Sequence, residues 1–476
     1  MVNKERSASA GLFTARSFFT QRASPRTEQR VLLAALGIYL IICIALLLRH
    51  EVSHDEAQAW LIARDAPDLS ALFAQMRYEG SGALWHLLLR PFARSGWPFQ
   101  SIYALNLLCC AGTVTLILLR APLPLWVRVL LPFTYLFLFE YAVFARSYAL
   151  GAFLFFLATT VWRSQPGRVW LWTLLLLLCA NCNLNSMILA GGFALTILLT
   201  PKAKGTLPGL GLLAVGFFAT ALYVWPPSDS AVSLQFNFRP DHFTRMLSGL
   251  RSFGFVFYLA FGGVLLACTR NRNVAIGFVA TQLALLLFFS VVPLCDTRHY
   301  LFLFLSMLWL LWLGNIQWRP ILSLFLLVVL LSMVARAAYR GWAELRVRHR
   351  YPQEFAETLK AAPGRHFVAA DPPSASVTIA AFLPRDSFYF PLQQRWGTFV
   401  VWDKSLSGEV QLPAPSLSRL ALQHPGYDVY YFITLSPLAA DTLRSHRVVL
   451  IRESHEGSNA EAARDARDRY LYRFER

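Results

Sequence analysis

Leu-rich apolar runs of about 20 residues recur along most of this chain, from Val31 to beyond Leu330, and that is the length a helix needs to cross about 30 Å of hydrocarbon. In lipid, a backbone can satisfy its own polar groups only as a helix or a closed barrel, and long unbroken Leu runs select the helix. The composition agrees: 56% of the 476 residues are hydrophobic and 15% charged, against about 25% charged in soluble domains. The expected fold class is a polytopic α-helical membrane protein.

The apolar runs fall at 31–48, 100–119, 124–139, 147–162, 169–184, 186–200, 207–225, 252–269, 274–292, 300–314 and 320–336, about eleven spans in all. Residues 1–30 are polar and basic, with Lys4, Arg6, Arg16, Arg22, Arg26 and Arg30. The run from Val31 to Leu48 is long for a signal-peptide core and lacks a small-residue cleavage site, so it reads as an uncleaved first span with its N-terminus in the cytoplasm. Arg120 and Arg128, Arg163 and Arg168, Lys202 and Lys204, Arg270 and Arg272, and Arg319 then fall in alternate turns, the cytoplasmic ones by the positive-inside rule. Every carboxylate from Glu51 to Asp296 falls on the other face. The formal net charge of +17 is therefore explained by topology rather than by a nucleic-acid-binding face. The seven cysteines lie in or beside apolar runs. Cys179 and Cys182 have C-x-x-C spacing but read as small packing residues at a helix end rather than as a redox pair.

An odd number of spans puts the C-terminus outside. Residues 337–476 change character, with frequent charges and prolines. His366–Ala370, Thr398–Trp402, Val429–Thr434 and Val448–Ile451 read as strands, and Ser374–Phe382 and Ser416–Gln423 as helices, which predicts a small extracytoplasmic α/β domain. It has no Gly-rich phosphate loop, and its expected role is structural or acceptor-positioning. The first outer loop, 49–99, is long. Ala57–Ala63 and Ala83–Phe92 are apolar enough for two short helices lying on the outer surface, with Trp60, Trp85 and Trp97 at headgroup depth.

That loop is also the expected place of the chemistry, the alternative being a solvated acidic surface. It begins R-H-E-V-S-H-D-E-A-Q-A-W, and crowds Glu51, Asp55, Glu56, Asp65 and Asp68 among aromatic residues. Such a group can serve as a general base, hold an acceptor hydroxyl or bind a divalent cation. Adjacent helical residues point about 100° apart, so one of Asp55 and Glu56 faces the site and the other supports it. Glu140 and Arg146 flank a second outer turn, as an ion pair or with Arg146 as a phosphate ligand. Asp296, Arg298 and His299 occupy a third, where Arg298 either anchors the next span or binds phosphate. His54, Asp55, Glu56, Asp296 and His299 together are a candidate set for a cation such as Mg or Mn. Arg239, Arg245 and Arg251 lie in the long outer loop that follows the seventh run.

Taken in order, S-H-D-E-A-Q-A-W after the first run, E-G-S-G-A-L-W-H-L-L-L-R-P-F-A-R-S-G before the second, A-R-S-Y-A-L-G-A-F-L at the fourth and T-R-H-Y-L-F at a late one make the chain resemble the GT-C glycosyltransferases. It is most similar to the bacterial relatives of protein O-mannosyltransferases and the aminoarabinose transferases, family 39 in type. The resemblance covers residues 31–336. It implies a GT-C-like transmembrane domain and an inverting transferase that takes a sugar from a polyprenyl-phosphate donor. The acceptor would be a lipid, glycan or protein, met on the outer side of a bacterial inner membrane. The family's acidic residue in the first outer loop maps to Asp55, with Glu56 adjacent. His54, Glu79, His86, Arg146, Tyr148, Arg298 and His299 are the candidate substrate-binding residues. The family usually has His-Pro-Pro in its second motif, whereas this chain has Gly80-Ser81-Gly82 with His86 further on. Asp55 would orient or deprotonate the acceptor, and Arg146 and Arg298 would stabilise the departing lipid phosphate. A transporter or flippase of a lipid-linked sugar, and a noncatalytic assembly protein that binds one, are the alternatives. Only the enzyme releases free polyprenyl phosphate.

Overall fold

Ser24 opens the first helix: its hydroxyl accepts from the Thr27 N–H, and Pro25 takes the first turn, where its missing N–H leaves nothing unpaired. This helix, α1 (Pro25–Leu47), is followed by α2 (His54–Asp65), α3 (Leu69–Glu79), α4 (Leu84–Arg94), α5 (Ser101–Arg120) and α6 (Leu125–Leu130). Then come α7 (Ser147–Ser164), α8 (Val169–Ala180), α9 (Leu184–Leu199), α10 (Thr206–Val224) and α11 (Phe255–Cys268). The helices α12 (Arg272–Val291), α13 (Thr297–Leu313), α14 (Pro320–Arg346) and α15 (Tyr351–Lys360) complete the series. The structure, a computed structural model, describes residues 24–231, 243–244, 246–248, 255–292, 295, 297–346, 351–383, 388–407, 420–438, 448–454 and 469–474.

Each apolar run expected to span coincides with a helix, except that 124–139 is broken. Among the described residues, five helices are long and apolar enough to cross a membrane: α1, α5, α10, α12 and the one beginning at Pro320. A sixth is added if the bent pair Leu125–Phe133 and Tyr135–Val143 counts as one span, while α8, α9 and α13 are apolar but shorter. Ile41, Leu108, Phe218 and Leu283 are each more than 60% exposed, an apolar surface suited to lipid rather than water. The chain is thus a helical protein of membrane type with a C-terminal sheet domain.

The broken run bends by 42° at Thr134. Pro132 cannot continue the helical hydrogen-bond ladder, Thr134 Oγ1 donates to Leu131 O at 2.7 Å, and Tyr135–Glu140 rewinds as a π-helix. The wider turn leaves Glu140 buried, with Tyr135 OH donating to its Oε2 at 2.6 Å.

The turns fall into two sets. At one end, Arg128 pairs with Glu28, Lys202 sits over the Trp162 ring, Asn273 Nδ2 donates to Leu199 O, and Arg270 N donates to Gly314 O. At the other end, Glu56 meets Ala145, Asn183 meets Ser147, and His50 meets Glu344. The basic turns therefore lie at one end, with Glu28 paired among them, and Glu56 and Glu344 lie at the other, where the C-terminal domain sits.

That domain is a six-stranded sheet in the order β3-β2-β1-β4-β6-β5, with β1 (His366–Asp371), β2 (Phe388–Phe390), β3 (Arg395–Gly397), β4 (Val429–Thr434), β5 (Val448–Ser454) and β6 (Arg469–Phe474). β1 pairs in parallel with β2 and β4, and the remaining pairings are antiparallel. Alternation along β1 gives the sheet two faces: Val368 and Ala370 join the core shared with the helices, while Phe367 and Ala369 pack in a separate aromatic cluster with Tyr430 and Tyr472.

Several expectations need correction. Thr398–Trp402 is not a strand: Val400 bonds to side chains of α2 and α3, Phe399 O and Val401 O accept from the Arg395 and Gln393 side chains, and Trp402 O accepts from Ala231 N. Ser374–Phe382 holds only a 3-10 turn at Pro373–Ala375 and the short helix Val377–Ala380. Only the end of Ser416–Gln423 lies within the described residues. The first loop has three helices, not two, and Ala57–Ala63 is buried throughout rather than lying on the surface. It packs between α4 and Val377–Ala380. Trp60 and Trp85 are buried with it, whereas Trp97 is 55% exposed.

Candidate functional site

The site is built on the first turn of α2. Ser53 and Glu56 form a reciprocal capping box: Ser53 Oγ accepts from the Glu56 N–H at 3.4 Å, and Glu56 Oε2 accepts from the Ser53 N–H at 2.8 Å, satisfying backbone donors that a helix start leaves over. Glu56 also accepts from the Ala145 N–H at 2.7 Å through Oε1, and its Oε2 lies 3.0 Å from His50 Nε2. His50 Nδ1 lies 2.9 Å from Glu344 on α14. Glu56 is fully buried and its oxygens are committed to these partners. It fixes α2 against the turn that carries Arg146.

Asp55, one residue earlier, points the other way. Its Oδ2 lies 3.2 Å from Arg146 Nη1 and 3.0 Å from Arg298 Nη1, its Oδ1 lies 3.9 Å from His54 Nδ1, and 37% of its side chain is exposed. Three stretches far apart in sequence, at the starts of α2, α7 and α13, thus converge on one carboxylate oxygen. Burial pushes the Asp55 pKa up, but Arg146, His54 and Arg298 outweigh it and hold the carboxyl well below the usual range. Asp55 is ionised at neutral pH.

The other predicted residues gather around this centre. Tyr148 OH lies 2.9 Å from His299 Nε2. The His54 ring meets the edge of Trp402 at 5.8 Å, and its buried Nε2 has no hydrogen-bond partner among the described residues. His86 is buried, and its Nδ1 has no partner among the described residues. Burial, reinforced by Arg146, pushes its imidazole down to about 3, so it is neutral. Glu79 accepts from the Gln58 and Gln75 amides at 2.9 and 3.3 Å. Burial pushes its pKa up, partly offset by Gln58, Arg146 and Gln75.

Gly80-Ser81-Gly82 has a backbone reason. Gly80 ends α3 at φ +59°, a left-handed conformation that suits glycine. A Cβ on Gly82 would lie 2.0 Å from Asn181 O. The following Leu84 N–H donates to that same carbonyl at 3.1 Å, and Tyr223 OH donates to Asn181 Oδ1 at 2.7 Å and accepts from Ala83 N at 3.1 Å. This passage sets the start of α4, and with it His86.

The sheet domain closes one side of the site. Val400 O accepts from Gln58 and Gln75 at 2.7 and 3.0 Å, and Val400 N donates to Gln58 at 3.0 Å. Thr398 Oγ1 donates to Asp65 at 2.6 Å, and Arg64 donates to Leu383 O at 2.8 Å. Ala231 N donates to Trp402 O at 2.8 Å.

The expected Glu140–Arg146 pair is not formed: Arg146 faces Asp55, and Glu140 faces Tyr135, with Arg298 Nε at 4.0 Å. Among the described residues no group of three or more His, Cys, Asp or Glu side chains is arranged to hold a metal ion. Glu56 is turned to the backbone and His50, and Asp55 to two guanidinium groups, so neither is placed as a cation ligand. Asp296, Arg239, Arg245 and Arg251 lie outside the described residues. Cys179 and Cys182 are buried free thiols. Sequence reasoning missed His50, Glu344, Gln58, Gln75 and Trp402. Gln58, a lone amide inside the apolar stretch A-Q-A-W, carried the one local signal, since a buried amide needs partners. The chain matches no family model, no curated protein and no solved structure.

Proposed function

We propose that the protein is an integral-membrane glycosyltransferase that moves a sugar from a polyprenyl-phosphate donor to an acceptor on the outer side of the membrane. The observation that carries this reading is the convergence of Arg146 and Arg298 on Asp55 Oδ2 at 3.2 and 3.0 Å. Two guanidinium groups with fork-shaped donors suit a phosphate as well as a carboxylate, and here they sit at the end of apolar helices, where a lipid phosphate reaches them from the bilayer. The likeness to GT-C enzymes in the motifs around these residues supports the same chemistry. A donor already attached to lipid fits a chain in which no Gly-rich nucleotide loop was found, on a membrane face that lacks nucleotide sugars.

In this scheme the donor phosphate lies against Arg146 and Arg298, which stabilise the charge it gains as the sugar leaves. Asp55 keeps the two guanidinium groups converged and offers its second oxygen, Oδ1, to orient the acceptor. Neutral His86 and the Tyr148–His299 pair face the sugar, and Trp402 brings the C-terminal domain to the acceptor side.

The test uses purified protein in detergent or vesicles with a panel of radiolabelled polyprenyl-phosphate monosaccharides and a membrane-lipid acceptor fraction. Transfer of label with stoichiometric release of polyprenyl phosphate is expected. Movement of intact lipid-linked sugar between leaflets without release identifies a flippase, and binding without either identifies an assembly protein; each overturns the reading.

A further inference from the structure

Two carboxylates at this end of the bundle are held in opposite ways. Asp55 gives Oδ2 to two guanidinium groups. Glu79, the last residue of α3, rests its Oε1 on the neutral amides of Gln58 and Gln75. Those amides are themselves fixed, because both donate to Val400 O and Gln58 also accepts from Val400 N. The Glu79 cradle is therefore built from two loop helices and a segment of the C-terminal domain. Gln58 follows Asp55 by three residues on α2, one turn along the same side of the helix, so the carboxylate that Gln58 holds lies beside the Asp55 site.

A base must ionise below the working pH yet keep its affinity for a proton, which is best met when its pKa lies near that pH. Two neighbouring cations work against this for Asp55. For Glu79 burial raises the pKa, and the Gln58 and Gln75 amides with the Arg146 guanidinium offset only part of that rise. Pairs of acids whose environments push their pKa values apart commonly divide their roles in this way.

We propose that Glu79, rather than Asp55, takes the proton from the acceptor during transfer, with Gln58 and Gln75 as its positioning residues. The inference rests on the transferase reading above. As the acceptor oxygen forms its bond to the anomeric carbon, its O–H bond breaks and the proton passes to a Glu79 carboxylate oxygen. The bond between the anomeric carbon and the phosphate oxygen breaks, and its electron pair leaves with the lipid phosphate between Arg146 and Arg298. The C-terminal domain enters the chemistry through Val400, which orients both glutamines.

Two measurements on the full-length protein separate this inference from the reading it rests on. The first is an infrared pH titration without substrate. It should show a carboxyl that titrates above the ordinary glutamate range and whose signal is lost in Glu79→Gln; absence of that signal overturns the inference whether or not turnover is found. The second is single-turnover transfer against pH, using the lipid-linked sugar that the unaltered protein accepts. The rate should rise with pH through the raised Glu79 pKa. Glu79→Gln should lower it by about 10²–10⁴-fold and remove that rise, while binding of polyprenyl phosphate stays unchanged. A Glu79→Gln protein of normal melting temperature with full rate and the same pH profile overturns the inference and leaves the transferase reading standing. If no donor in the panel is turned over, the transferase reading fails and the inference falls with it.

Discussion

Changing Glu56 to Gln tests the claim that this residue is a strut and not a reactive group. Its carboxylate is fully buried and accepts on both oxygens: from Ala145 N at 2.7 Å on one, and from Ser53 N at 2.8 Å with His50 Nε2 at 3.0 Å on the other. Gln has one acceptor oxygen, so its NH2 must face either the Ala145 N–H or the Ser53–His50 pair. His50 makes the loss larger. Burial alone would lower its pKa, but Glu56 and Glu344 outweigh that and push it up from 6.5 to about 10, so a buried cation loses one of its two counter-charges. Breaking such a pair from one side costs about 3–5 kcal/mol. The sign with pH follows from linkage: stability that comes from a raised pKa is fully present below about 6.5 and is lost as pH rises through about 10. Thermal unfolding in detergent should therefore show Glu56→Gln melting well below wild type at neutral pH, with the gap narrowing towards pH 10. A variant that melts like wild type at neutral pH but is inactive would refute the structural assignment and make Glu56 part of the chemistry.

Replacing Arg146 or Arg298 with Ala should weaken polyprenyl-phosphate binding by about 1.5–3 kcal/mol each, measured by titration of the purified protein, with Lys restoring only part because it lacks the planar fork; unchanged binding in both would make these arginines anchors. Gly82→Ala should disturb the start of α4, since its Cβ would meet Asn181 O at 2.0 Å, and should lower both yield and melting temperature; normal behaviour would mean that the loop relaxes freely. Reporter fusions at Lys204 and after Arg476 should report opposite sides of the membrane, with Lys204 cytoplasmic. The same side for both would break the assignment of the two ends.

The helices were legible because lipid-spanning segments write themselves in long apolar runs, and so was the grouping of the turns, because most basic residues fall in alternate ones. The bend at Thr134 was not, since a π-turn changes the hydrogen-bond ladder without changing hydropathy. Ala57–Ala63 misled for a related reason: an apolar stretch flanked by tryptophans suits an interface or a core equally, and the choice was made by a C-terminal domain more than 300 residues away, through Gln58–Val400. Asp55, Arg146 and Arg298 stood out as charges at span ends, but that they meet on one oxygen follows from how α2, α7 and α13 pack. Thr398–Trp402 has a strand-like composition, yet side chains take its backbone bonds, those of α2 and α3 at Val400 and those of Gln393 and Arg395 on either side of it. Glu56 could not be told from Asp55 by type; a capping box beginning at Ser53 was the available signal, as S-x-x-E before an apolar run.

The central claim is that Arg146, Arg298 and Asp55 form the centre at which a sugar leaves a lipid phosphate, and it is tested most directly by single-turnover transfer with Asp55→Asn. The substitution preserves size and removes the charge that draws the two guanidinium groups together. With polyprenyl-phosphate binding measured in parallel and melting temperature matched to wild type, the account predicts retained donor binding and transfer slowed by about 10²-fold through lost orientation. Transfer at the wild-type rate by the well-folded variant would contradict it.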